Sequence, residues 1–289
     1  MTDIAIKPAE SENRKFIRRL LRRKTVAFGL VILVIFVLLA VLAPWVAPYS
    51  PSKLSIVNRL KPPSGTYFFG TDEFGRDVLS RTIYAGRLSL LVGVAVVALS
   101  SVIGVTLGLL AGFFKKLDTP IARLIDAMMA FPDILLAIAL VAALGPSLTT
   151  VIIALSIVYA PRLARIVRAS TLVIRELPYV EAAQALGIST FHIMTRHVLR
   201  NLLSPIMVQA TFLFASAMLA EAGLSFLGLG IKEPTPSWGA LLSNGPNYYL
   251  TQPWLMVWPG LAVLMTTLAF NLLGDGLRDA FDPRGTTLS

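Results

Sequence analysis

Residues 134–161 read ILLAIALVAALGPSLTTVIIALSIVYAP, twenty-eight positions in a row without a charge. Taken whole, the block is one long apolar helix. Taken with Gly145-Pro146-Ser147 as a turn, it is the meeting point of two helices. Four further blocks, 25–52, 88–114, 202–220 and 234–274, are equally free of charge. About 20 apolar residues carry a helix across a bilayer, whereas a soluble core helix keeps charge on its outer face. These blocks are apolar all round. With 55% hydrophobic and 15% charged residues, the composition is that of an all-α integral membrane protein, and the 134–161 block decides whether the chain crosses five times or six.

Lysine and arginine favour six. The spans then fall at 26–47, 88–113, 119–144, from Leu148 onward, 202–226 and 254–275, and 19 of the 26 basic residues lie on the inner side; five spans would put only 12 there. Loops on the cytoplasmic side are the basic ones, so both termini are expected in the cytoplasm. Trp45, Trp238, Trp254 and Trp258, with Tyr248 and Tyr249, then gather at the outer boundary, where amphipathic rings sit well. The first block, 26–46, outruns the roughly 7–15 residues of a cleavable leader and reads as a retained span. The chain divides into a cytoplasmic tail (1–25), a first span (26–47), an outer segment with an amphipathic helix (48–87), a five-helix core (88–276) with an inner loop at 175–200, and a cytoplasmic tail (277–289).

Several function classes fall away. The net charge of +10 belongs to residues flanking spans, with no interleaved basic–aromatic pattern that would suit nucleic acid. The absence of cysteine rules out disulfides and thiol chemistry. No G-x-x-x-x-G-K-[ST] phosphate loop occurs, so the chain is expected to be no enzyme, with no cofactor and no metal of its own. His192 and His197, five apart, miss the i, i+4 ligand spacing. Asp72, Glu73 and Asp77 do not follow the EF-hand template. Residues 71–87 read instead as an amphipathic helix capped by Thr71 or Asp72.

Within the spans, Gly104, Gly108 and Gly112 form two overlapping small-xxx-small patterns suited to close helix approach. Arg123 and Asp126 are expected to pair, with Pro132 kinking span three. Gln209 and Ser216, seven apart and so on one face, either line a path or satisfy neighbouring helices. Glu221 faces the pathway or a partner. The 235–254 loop is expected to expose its aromatics, Trp238 among them, for docking a partner outside.

The longest inner loop, residues 161–201, reads PRLARIVRASTLVIRELPYVEAAQALGISTFHIMTRHVLRN. Arg162, Arg165 and Arg168 recur every three residues and can snorkel to the interface. Pro178 opens a short helix, Gly187 permits a bend and Ser189 caps a second short helix, giving a stubby helix–turn–helix with a small-residue face. Glu181-Ala182-Ala183 with Gly187 resembles the EAA loop of ABC importer permeases, although Arg200 stands where that family carries proline. Phe69-Gly70-Thr71-Asp72-Glu73-Phe74-Gly75-Arg76-Asp77-Val78-Leu79-Ser80-Arg81 is similar to the GTD-x-x-GRDVLSR signature of the C-type permeases of dipeptide, oligopeptide and nickel importers. Ser225-Phe226-Leu227-Gly228-Leu229-Gly230, Pro234 to Gly239 and Phe270 to Asp279 resemble further blocks of that subfamily.

The resemblance implies a type I importer fold in the bacterial inner membrane, forming half of a translocation path. It further implies a second related permease, two cytoplasmic ABC ATPases that hold the ATP and Mg, and an extracytoplasmic solute-binding protein. It places Glu181 at the ATPase interface, Ala182 and Ala183 in the ATPase groove and Gly187 at the bend. Peptides are the implied cargo, with nickel or another chelated metal as the alternative. From another class, an ion-gradient-driven transporter would want matched broken helices and mid-membrane carboxylates.

Overall fold

The computed structural model describes residue 20 and residues 23–231 and 234–281. The basic residues of the N-terminal tail before Arg23 and the end of the C-terminal tail, on which part of the topology argument rested, lie outside the described residues. Helix α1 is Lys24–Val41 and α2 is Val78–Phe113. Lys115–Met129 is α3, Asp133–Leu144 is α4, Leu148–Ile174 is α5 and Pro178–Ala185 is α6. Then come α7, Thr190–Phe226, α8, Trp238–Ser243, and α9, Trp254–Phe281. No strand occurs among the described residues, only an isolated bridge between Thr71 and Asp77.

Among the described residues, five helices are long and apolar enough to cross a membrane, and a sixth span exists if α3 and α4 count as one. They do not form one helix: the pair bends by 91°. Pro132 supplies no N–H and pushes Phe131 out of the helical region, so the expected kink is a full break. Before it, α3 is amphipathic, with Lys115, Lys116, Asp118, Arg123 and Asp126 among its apolar residues. After it, α4 has 12 residues, about 18 Å at 1.5 Å per residue, short of a hydrocarbon core of about 30 Å.

Packing settles the parity that the 134–161 block left open. A Cβ on Gly104 would lie 2.8 Å from the Ala160 carbonyl, one on Gly108 2.6 Å from Val167 Cβ, and one on Gly112 2.5 Å from Thr171 Cβ. Sequence number rises together on both helices, so α2 and α5 run parallel. The chain between them must therefore return, and α3 and α4 together make that return. The turn is where the sequence put it: Gly145 takes φ +87, and Ser147 accepts from the Thr150 N–H to cap α5. Arg23 at the start of α1 pairs with Asp279 near the end of α9, so both ends of the described chain lie at one end of the bundle.

The same glycines explain why α2 and α5 form the tightest pair. Around them Val96, Leu109, Leu155, Leu163, Leu202 and Leu213 build one core cluster. A second unites Phe214, Met218, Trp238, Leu241 and Ala262 from α7, α8 and α9. Side chains on the outside, such as Phe28, Leu91, Val102, Leu219 and Leu264, are large, apolar and exposed, as lipid contact requires.

Candidate functional site

Two regions outside the spans carry most of the polar organisation. One is the elbow between α5 and α7. Pro178 sits in the first turn of α6, where its missing N–H costs nothing. The helix ends in a Schellman pattern: Gly187 N donates to Gln184 O at 3.0 Å and Ile188 N to Ala183 O at 3.1 Å. Gly187 has φ +74. Ser189 then accepts from the His192 N–H and starts α7.

The face that α6 turns inward is Val180 and Ala183, packed with Ile193 into the main core. Glu181, Ala182 and Gly187 are exposed. Ala183 thus rests on this chain's own bundle, which corrects the expectation that it fills a partner's groove: residues three apart on one helical turn share a face, and here that face is taken. The side chains that protrude are Leu186, 81% exposed, and Phe191, 77% exposed. Neither was singled out in the sequence, although an apolar pair flanking a Gly bend was visible there. Beside the elbow, Lys115, Arg175, Glu176, Glu181, Gln184 and Thr190 line a cleft of about 600 Å³.

Arginines tie the elbow end to the broken helix. Arg168 Nε meets Asp118 at 2.5 Å and Arg165 Nη2 meets Asp126 at 2.6 Å, while Arg162 pairs with Asp133. The Arg123–Asp126 pair is therefore replaced by a ladder from α5 onto α3 and α4. About two turns beyond, Arg175 Nη1 donates to the Gly112 carbonyl at 2.8 Å, joining the start of the elbow to the end of α2.

The second region is a knot of residues 55–81 at the opposite end. Asp72 is its hub. Its Oδ1 accepts from the N–H groups of Phe74 and Arg76 at 2.9 Å, and its Oδ2 meets Arg76 Nε at 2.6 Å and Arg81 Nε at 3.6 Å. All three charged residues are buried. Gly70 and Gly75 take positive φ. Asp77, not Thr71 or Asp72, caps the helix, accepting from the Ser80 N–H at 2.8 Å, and α2 runs unbroken from Val78, so the separate amphipathic helix expected at 71–87 does not form. The knot is bound to the far loop by Asn244 Nδ2 donating to Glu73 at 3.1 Å and by Phe69 stacked on Trp258 at 3.9 Å.

Trp238 is 1% exposed; its indole N–H donates to the Thr82 carbonyl at 2.9 Å and its backbone N–H to Ser89 Oγ at 3.1 Å. It is a core residue, which removes it as a docking residue; Tyr249 and Leu250 are the exposed large hydrophobic side chains of that loop. Glu221 is likewise enclosed, accepting from Ser225 Oγ at 2.8 Å and Ser237 Oγ at 2.9 Å. It pins α8 from within instead of facing a path. Gln209 lines a cleft of about 480 Å³ with Ser204, Phe212 and Arg278. Ser216 is half-buried, its carbonyl accepting from the Tyr159 hydroxyl at 3.2 Å.

Residues 104–286 match the family model described as the binding-protein-dependent transport system inner membrane component, and residues 11–63 match the N-terminal TM domain of oligopeptide transport permease C. The chain belongs to the binding-protein-dependent inner-membrane permease family. It is a multi-pass permease subunit of an ABC importer, which displaces the ion-gradient alternative. A Brucella suis biovar 1 protein named for a peptide transport system permease is 51% identical, over 92% of this chain and 90% of its own length. The dipeptide transport system permease protein of Alkalihalophilus pseudofirmus is 44% identical over 96% and 91%, and the di/tripeptide permease of Pseudomonas aeruginosa 46% over 89% and 87%. The inward-facing MetNI methionine ABC transporter shares the permease fold, with a TM-score of 0.57 and 18% identity over 71% of this chain and 98% of the compared one. In this permease the GTD-x-x-GRDVLSR signature is thus a folded device: its glycines make the turns, its aspartates anchor and cap, and its arginines are the buried counter-charges.

Proposed function

We propose that this permease forms half of a path for di- or oligopeptides beside a second related permease, and that the elbow passes on the work of two cytoplasmic ATPases. The ATPases hold the ATP and Mg; a solute-binding protein delivers cargo at the knot end. The cargo reading is supported by the names of the dipeptide and di/tripeptide relatives. The elbow end faces the cytoplasm, since it carries Lys115, Lys116, Arg123 and the arginines of α5. Gln209 and Ser216 on α7 are the pathway residues.

The observation that carries the coupling reading is the elbow's shape. The stub is made of the short helix α6, the Gly187 bend and the first turn of the long helix α7, in place of the second short helix expected after Ser189. It projects Leu186 and Phe191 into the open, carries Glu181 on its outer side and is wired to α2 through Arg175. Large apolar side chains held out on a small projection mark a protein interface. A push there is transmitted to α5 and α7 together, because both leave the elbow directly. The test uses the assembled transporter in lipid vesicles. Glu181→Ala and the double change L186A/F191A leave insertion intact, while uptake of a labelled dipeptide per ATP hydrolysed falls roughly 5–150-fold, the span of a lost coupling free energy. Uptake at the wild-type ratio with the ATPases bound would overturn the assignment.

A further inference from the structure

The start of α7 contains a defect that the elbow's shape alone does not require. Ile193–Val198 winds as a π-helix, the only such turn among the described residues, and the Leu199 N–H reaches back five residues to the Met194 carbonyl. The segment reads Ile-Met-Thr-Arg-His-Val. It holds neither proline nor glycine, the usual causes of a helix irregularity, so the distortion comes from one surplus residue between two fixed ends. Both ends are fixed: Ile193 and Val198 are buried in the main core.

A π-turn leaves carbonyls without their ordinary i+4 donors, and unpaired backbone groups are costly. Side chains along this stretch bring further donors to its carbonyls. Thr195 Oγ1 donates to the Phe191 carbonyl at 2.8 Å, and Asn201 Nδ2 donates to the His197 carbonyl at 2.6 Å. The same Asn201 amide donates to the Tyr179 hydroxyl at 3.0 Å, and Tyr179 lies on α6. One side chain therefore bridges the π-turn and the first helix of the elbow.

We infer that Ile193–Val198 is the joint at which the elbow turns against the membrane-crossing part of α7, with Asn201 as the positioning residue that latches it. The inference rests on the coupling role of the elbow proposed above. A surplus residue moves along a helix by exchanging one set of backbone hydrogen bonds for another, so the elbow tilts while the helix remains hydrogen-bonded. An unbroken α-helix offers no such motion. Asn201 sets the resting position by holding His197 and Tyr179 at once.

Deleting Thr195 tests this. It removes the surplus residue, so an uninterrupted α-helix joins the elbow to Leu199 with both flanks still facing their neighbours. In the assembled transporter in lipid vesicles, ATP hydrolysis persists and labelled-dipeptide uptake per ATP falls about tenfold or more; Asn201→Ala lowers the same ratio less. Amide hydrogen exchange on the wild-type complex is the second measurement and needs no variant. Protection of residues 193–201 changes between the nucleotide-free and nucleotide-bound states, while residues 205–220 stay constant. Wild-type uptake in the deletion variant, or equal protection of 193–201 in both states, overturns the joint. Should Glu181→Ala transport normally, the elbow reading itself fails; if Glu181→Ala is uncoupled while the deletion variant is not, only the joint fails.

Discussion

Gly70 and Gly187 hold the same left-handed backbone, φ +75 and +74, at opposite ends of the molecule. Their surroundings are opposite as well. A Cβ on Gly70 would come within 2.7 Å of the Lys61 carbonyl and of Trp254 Nε1, whereas one on Gly187 would meet nothing within 4 Å. The knot around Gly70 is crowded, its charges buried and cross-bonded. The elbow around Gly187 stands clear of its neighbours and keeps its glycine for the bend alone. One end of the permease is built to hold its form and the other to be gripped, and in both a glycine makes the turn.

The comparison breaks or sharpens at four substitutions, taken in order of expected effect. Asp72→Ala leaves Arg76 and Arg81 in the knot without their shared carboxylate, and losing one partner of a buried pair costs about 3–5 kcal/mol. Thermal unfolding of the purified transporter shows this as a large fall in Tm; an unchanged Tm would mean that the knot does not contribute to stability. Next, Gly70→Ala and Gly187→Ala impose the same left-handed strain of roughly 1–2 kcal/mol, so the difference between them isolates crowding, about 1–3 kcal/mol. Gly70→Ala therefore melts lower, while Gly187→Ala impairs coupling with little change in Tm, since strain in a locally opening segment leaves global unfolding nearly untouched. Equal melting temperatures would erase the contrast. The smallest effect is expected at Ala182→Leu. Ala182 is exposed on the elbow, so stability stays within about 0.5 kcal/mol of wild type. ATPase binding, read by pull-down from solubilised membranes, weakens if this face is gripped.

Much of the elbow was legible because its signals are local. Pro178, Gly187 and Ser189 act within one or two turns, and each does in the structure what its chemistry suggests. The arginine ladder was half legible. A period of three in Arg162, Arg165 and Arg168 is visible in the chain, but their partners Asp118, Asp126 and Asp133 lie 29 to 50 residues away. Local reasoning paired Asp126 with Arg123 because that was the nearest cation in sequence. Trp238 misled for a related reason. Its place in a loop rich in aromatics suggested exposure, yet Gly86 on α2 makes room for its ring, 3.0 Å from where a Cβ would sit. Pro132 announced a bend but not its size.

By itself the sequence determined that this protein lives in a bilayer, that it turns at Gly145 and that a stubby elbow hangs on Gly187, because charge-free length, Gly–Pro turn chemistry and helix caps are properties of neighbouring residues. The folded arrangement alone decided which carboxylate meets which arginine, that Glu221 and Trp238 are enclosed, that Ala183 faces inward and that α7 carries a surplus residue. Those outcomes depend on which helix lies beside which, and helices brought together across a bilayer are chosen by close packing between segments far apart in the chain.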